Sequence, residues 1–250
     1  YVGAFMYEGD SPLAERRAAA LSVDPALLSE LLGKVEMREL LDPEVIAQYE
    51  RELQRLDPER RARGVEGVAD LLRVLGPMDA DEVAARLDPS TSSGTGAVGS
   101  GTGTAEAAAH LDALIDARRA IPVSIGGVAR VAVIEDAGRL RDALGVALPV
   151  GIPNAFLEPV ADPLGDLVAR FARTHGPFRA DAVAARLGVG VAVARLTLQR
   201  LESQGRVSSG FFLPDPGGST AADDTEWCDT EVLRRLRMRS LAAIRGSVED

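Results

Sequence analysis

Apolar residues recur at three- and four-residue spacing through most of this chain, and short alternating stretches interrupt them. LDPEVIAQYERELQRL carries a Leu/Ile stripe of helical period. Asp42 can cap that helix, and Pro43 falls in its first turn, where a missing N–H costs nothing. VEGVADLLRVLG, DADEVAARL and AEAAAHLDALIDARRA read as three more helices, with Asp79 and Glu82 forming a capping box at the second. IPVSIGGVARVAVIED alternates instead, and its Gly126-Gly127 pair suits a two-residue hairpin turn. PLGDLVARFARTH, FRADAVAARLG and VAVARLTLQRLESQG repeat the three-helix order, the last two ending at Gly188 and Gly205. RVSSGFFLP is then expected to be a hairpin turning near Ser209-Gly210. Helix, helix, helix, hairpin is the order of a winged helix-turn-helix.

The two halves share a phrase. GPMDADEVAARL at Gly76 returns as GPFRADAVAARL at Gly176, an offset of 100 residues. The third helices align as Leu111, Leu114 and Arg119 against Leu198, Leu201 and Arg206, an offset of 87. The difference of 13 places an insertion in the first copy, and DPSTSSGTGAVGSGTGT has the composition of a flexible linker. The expected fold is therefore mainly α with small β-hairpins: tandem winged helix-turn-helix modules preceded by a helical segment.

The expected boundaries follow. Residues 1–63 form the helical segment of a preceding domain, opening with a strand end (YVGAFMYEG) and helices in GDSPLAERRAAALS and VDPALLSELLG. In DPERRARG, which closes it, Arg60, Arg61 and Arg63 read as a solvated helix end. Module A spans 64–148 with its Gly/Ser-rich insertion at 88–104, and it ends in EDAGRLRDALG, a short helix that Asp136 can cap. A connector at 149–162 is stiffened by Pro149, Pro153 and Pro159. Module B spans 163–215, a linker 216–226, and a basic terminal helix 227–246.

Composition narrows the class. The 250 residues are 46% hydrophobic and 26% charged, as in ordinary soluble domains, and no apolar run approaches the roughly 18 to 20 residues of a membrane span. The chain begins at Tyr1 without a signal peptide and reads as a piece of a longer protein. Cys228 is the single cysteine and no Cys/His cluster has zinc spacing, which fits a reducing cytoplasm. His110 and His175 read as surface or helix-end residues. A net charge of −10 argues against a bare nucleic-acid coat, yet residues 163–210 hold seven arginines against three acids. Lys34 is the only lysine, so the positive charge is almost all guanidinium, suited to bidentate phosphate or base contacts.

No catalytic constellation assembles. GTGAVG at Gly94 has the letters of a dinucleotide loop, but a helix precedes it where a buried strand is needed. No phosphate-binding P-loop is present either. The third helix of module B is the candidate contact surface. With Ala194, Leu198 and Leu201 facing the core, it turns Arg195, Gln199 and Arg200 outward with Thr197 beside them, and Arg206 stands at the base of the wing. In module A the same face carries Glu106, His110, Asp112 and Asp116, which would repel phosphate. In the terminal helix Arg235 and Arg239, like Arg234 and Arg237, make a basic stripe; complementing the helix dipole explains it structurally, and phosphate contact is the functional alternative. Trp227 could stack on a base or pack on its helix. On residue chemistry alone a tandem winged-helix scaffold for protein partners, without DNA contact, stands beside the DNA-binding reading.

Four blocks, YEGDSPLAERRAAALSVD, MRELLDPEVIAQYERELQRL, VGIPNAFLEPVADPLGDLVARFARTHGPFRADAVAARLGV and EWCDTEVLRRLRMRSLAAIR, together resemble the bacterial large helicase-related (Lhr) family. The resemblance covers nearly the whole chain apart from the Gly/Ser insertion. It implies ATP-dependent 3′-to-5′ translocation on single-stranded DNA or a DNA–RNA hybrid, a link to DNA repair, and RecA-like motor domains earlier in the same chain that use ATP and magnesium. No cofactor is implied for this segment, which would hold the strand behind the motor. The region is also similar to a glycosylase family of tandem winged helices that uses a Gln-x-Gln or Gln-x-Asp pair. Gln48, Gln54, Gln199 and Gln204 form no such pair, so that activity is not carried over.

Overall fold

Helix α1 (Pro43–Leu53) starts at Asp42, whose Oδ1 accepts the Glu44 N–H at 2.8 Å and the Val45 N–H at 3.4 Å. The computed structural model that shows this describes residues 40–89, 100–214 and 225–249. The elements expected before residue 40, GTGAVG, and most of the linker after Pro214 lie outside the described residues.

Module A runs α2 (Gly64–Leu75), α3 (Ala80–Ala84) and α4 (Ser100–Asp116), then β1 (Ala120–Ile125) and β2 (Val128–Val133). The capping box forms: Asp79 Oδ1 accepts the Glu82 N–H at 2.8 Å, and Glu82 Oε2 accepts the Asp79 N–H at 3.0 Å. Gly126 and Gly127 have φ of 58° and 80°, the backbone a primed two-residue turn demands. Met78 exchanges backbone hydrogen bonds of 3.0 and 2.7 Å with Val131, an isolated antiparallel bridge beside the two-stranded wing. Helix α4 begins earlier than expected, so the SGTGT end of the supposed insertion is helical. The Thr104 hydroxyl donates to Asp81 Oδ1 at 2.9 Å, which ties this turn to α3.

Helix α5 (Ala137–Leu144) follows. Asp136, its expected cap, makes no capping hydrogen bond. Its buried carboxylate instead takes Arg170 in a bidentate pair, with Arg139 as a third donor. Two guanidinium groups outcompete two backbone N–H groups for one carboxylate. The connector is pinned to α5 by Arg141 Nη2, which donates to Leu157 O at 3.0 Å.

Module B comprises α6 (Pro163–Thr174), β3 (Phe178–Arg179), α7 (Ala180–Leu187), α8 (Val191–Ser203), β4 (Val207–Gly210) and β5 (Glu226–Asp229), and α9 (Thr230–Glu249) closes the chain. Here the structure corrects the expected hairpin. RVSSGFFLP does not turn back at Ser209-Gly210; β4 pairs with β5, and the sheet order is β3-β5-β4. The chain leaves the sheet because Phe212 is drawn into an apolar cluster, and Glu226 accepts the N–H groups of Phe212 and Leu213 at 2.6 and 2.8 Å. The terminal helix accordingly starts at Thr230, not at residue 227, with Asp229 Oδ1 accepting the N–H groups of Glu231 and Val232.

The duplication is visible bond by bond. Arg118 and Arg119 close α4 on the carbonyls of Ile115 and Leu114; Gly205 and Arg206 close α8 on those of Glu202 and Leu201. Arg118 and Gly205 both have positive φ, 56° and 71°. The returning strands end alike, with Ile134 N–H on Arg119 O at 3.0 Å and Thr230 N–H on Arg206 O at 3.1 Å. That last pair is offset by 96, against 87 on the third helices, so the second wing is nine residues longer.

The modules share a core. Ile121, Val123 and Ile125 of the module A wing pack in one cluster with Leu167, Val168, Val183 and Leu198 of module B. A separate cluster inside module A holds Val68, Leu72, Met78, Leu111 and Leu114. A third joins α1 to α9 through Ile46, Tyr49, Phe212, Leu233 and Leu236.

Candidate nucleic-acid interface

Helix α8 buries Ala194, Leu198 and Leu201 completely, as its period predicts, and turns Gln199 and Arg200 outward with Arg195 half-buried at the side. Thr197 does not join them. It is 5% exposed, and its hydroxyl donates to Val193 O at 2.9 Å, so it belongs to the core face. The middle of the outward face is instead Leu196, 66% exposed, which sequence reasoning passed over.

Arg200 makes a bidentate pair with Asp162, its Nη2 donating to Oδ1 at 2.8 Å. Asp162 also caps α6 by accepting the Gly165 N–H at 3.0 Å. The Arg200 hydrogen bonds and charge hold this carboxyl below its usual range, and the field of Arg206 adds to the effect. Arg200, near the C-terminal end of α8, is thus paired with a carboxylate outside its own helix.

The other expected contacts are used elsewhere. Trp227 is 4% exposed in the central strand, opposite Phe178 and Ser209, and cannot stack on a base. A residue in the middle strand of a sheet covered by helices packs inward, and EWCD had read as a helix start. Arg239 donates to both oxygens of Glu52 at 2.8 and 3.0 Å and lies 4.2 Å above the Tyr49 ring. Arg235 donates to Glu231 Oε1 at 3.0 Å and reaches the Tyr49 hydroxyl at 3.5 Å. Arg234 and Arg235 hold the Glu231 carboxyl down at about 2. Arg234, Arg235 and Arg239 of the basic stripe are thus engaged with α1 and their own helix, and Arg237 is buried at 5% exposed.

Module A turns a different face to its surroundings. Asp112 and Asp116 are exposed on α4, and His110 Nε2 lies 3.7 Å from Glu106 Oε1. Its wing is not free. The backbones of Gly126 and Gly188 touch so closely that a Cβ on Gly188 would lie 2.7 Å from Gly126 Cα. Arg130 of the wing donates to Arg186 O at 3.2 Å, and Arg186 clamps Glu82 Oε1 and Pro77 O. Module A's wing is therefore a brace on the helix–turn–helix corner of module B.

Among the described residues no group of His, Cys, Asp and Glu could hold a metal ion, and no helix is long and apolar enough to cross a membrane.

Residues 39–159 match the family description of a large helicase-related protein, winged-helix domain. Over its whole length the chain is 53% identical to "Lhr helicase/ probable uracil glycosylase" of Mycolicibacterium smegmatis. Over 98% of its length it is 44% identical to "Lhr helicase/uracil glycosylase" of Escherichia coli. The chain belongs to the large helicase-related family. It spans only 15% and 14% of the length of these two relatives. Within the Lhr family, then, this is a stretch of tandem winged helices, and the unequal faces of its α4 and α8 are features of that stretch.

Proposed function

We propose that this segment is the accessory region of an Lhr-type ATP-dependent DNA helicase, and that α8 of module B with the base of its wing grips single-stranded DNA behind the motor. The observation that carries the reading is the bidentate pair that Arg200, outward-facing near the end of α8, makes with Asp162, with Arg206 following at the base of the wing. The pair with Arg200 is exposed, and exposed pairs contribute only about 0–1 kcal/mol, so a phosphate can take the carboxylate's place at small cost. Arg195 and Gln199 on the same helix extend the contact. ATP and magnesium belong to the parent enzyme's motor, and DNA repair is the setting the family resemblance favours. The glycosylase in the relatives' names is not assigned to this segment.

The test is a strand-binding titration across salt concentrations, using the full-length enzyme with Arg195, Arg200 and Arg206 all changed to Ala. The dependence of log affinity on log salt falls by about 0.7 per lost phosphate contact, so about 2 in all, and affinity at low salt drops. An unchanged slope in a folded variant removes the reading. A second reading, a docking face for a protein, is favoured by the exposed Val191, Val193 and Leu196 on the same helix, and it expects that unchanged slope.

A further inference from the structure

A cleft of about 340 Å³ opens between the segment that follows α1 and the outer face of α2, and four arginines, Arg55, Arg60, Arg61 and Arg63, line it. Its floor is small and apolar, made by Gly67, Leu71 and Val74. The one acidic residue lining it, Asp70, is already held by Arg73 at 2.8 Å. Two of the arginines have outside partners: Arg60 lies 3.4 Å from Glu52, which Arg239 also occupies, and Arg63 lies 2.7 Å from Asp88. Both remain well exposed.

The other two are different. Arg61 Nε is buried and has no hydrogen-bond partner. Arg55 sits in the left-handed region with φ of 58°, at the end of α1, where Leu56 N–H reaches back to Arg51 O at 2.9 Å. Glycine is the usual occupant of that position, since a side chain there strains the backbone. An arginine keeps the strain and adds a cation to the rim. Neither guanidinium is matched by a carboxylate among the described residues, and the cleft lies within the roughly 300–1,000 Å³ of small-ligand sites.

We propose that this cleft is a second binding site, for the phosphodiester backbone of a single nucleic-acid strand. The guanidinium rim takes phosphate oxygens in bidentate fashion, and the exposed Val74 offers an apolar surface for an unstacked sugar or base. The proposal rests on the nucleic-acid reading above for the nature of the ligand, but on residues of its own for the site. It puts strand contacts on the α1–α2 side of module A as well as on module B.

The experiment compares two variants of the full-length enzyme, Arg55→Gly with Arg61→Gln, and Arg195→Ala with Arg200→Ala and Arg206→Ala, titrated with a fluorescent oligothymidine across salt. The glycine suits the positive φ of residue 55, which guards the fold. A lowering of the salt slope by about 1.4 in the cleft variant, with Arg61→Lys keeping more of the slope than Arg61→Gln, supports the site. A normal slope in the cleft variant and a lowered one in the module B variant overturns this site and leaves the module B reading standing. The reverse upholds the cleft and removes module B. Two normal slopes overturn both. A parallel titration with thymidine 5′-monophosphate separates the sources of phosphate. If its binding is lost in the cleft variant while the strand's slope is normal, the cleft takes a free nucleotide and the proposal falls.

Discussion

His175 ends α6 with its ring flat against Phe171, the centroids 3.7 Å apart. Its Nδ1 lies 2.8 Å from Phe171 O, which can only accept, so Nδ1 carries the proton and Nε2 is left to accept from the Gln54 amide at 3.2 Å. Burial pushes its pKa down to about 4, and the nearby charges of Arg186 and Arg86 add to the shift. The folded state therefore binds fewer protons than the unfolded chain between about pH 4 and 6.5. This contribution to stability is full above the unfolded value and is lost as pH falls toward 4, a difference of up to about 3 kcal/mol. Glu50, raised by its own burial, works in the opposite direction as it protonates. Denaturant unfolding at pH 7, 6 and 5 checks the sign: His175→Phe loses less stability on acidification than the parent, and equal loss would assign the slope to other groups.

Arginines at matched positions of the repeat act on different neighbours, the turn after α3 supplying Arg86 and α7 supplying Arg186. Arg86 donates to Gln54 O and Gln54 Oε1 at 2.8 Å, tying module A to the end of α1, whereas Arg186 ties module B to Glu82 and Pro77 of module A. The corner after α7 meets the module A wing at Gly188, with φ of 66° and the Gly126 backbone in contact. Gly188→Ala is both strained and overcrowded there, and thermal unfolding of the variant should show a loss of about 1–3 kcal/mol, more than Gly127→Ala, whose added Cβ meets nothing. How much of this was legible follows from distance along the chain. The three-helix order, the Asp79–Glu82 box and the Gly126-Gly127 turn are local signals and appear where the residues place them. The second wing was misread because the strand partner of Val207–Gly210 lies beyond a loose linker, and EWCD looks like the approach to a helix. The partners of Arg200 and Arg239, at Asp162 and Glu52, are 38 and 187 positions away, and no periodicity announces them. Arg200 faces outward as the helical period predicts, whereas Arg195 is half-buried and Arg237 is 5% exposed; which groups already hold the arginines needed the fold.

Across the whole molecule, the helices nearest the two ends of the described chain lie side by side. α1 and α9 share an apolar seam, and Ser240 Oγ accepts the Asp42 N–H at 3.0 Å. Leu236 is fully buried in that seam. Leu236→Ala should cost about 2–5 kcal/mol, and hydrogen exchange should rise first in residues 43–53; unchanged protection there would mean α1 is held mainly by α6 and Gln54. The late return of β5 also bears on synthesis. Module A can close its sheet once Val133 has left the ribosome, because its two wing strands follow each other directly. Module B must wait for Glu226–Asp229, the middle of its sheet, so its three helices emerge with the seat of Trp227 still vacant. Until then the finished wing of module A, with Ile121, Val123 and Ile125 facing it, is the apolar surface against which the newborn helices can shelter.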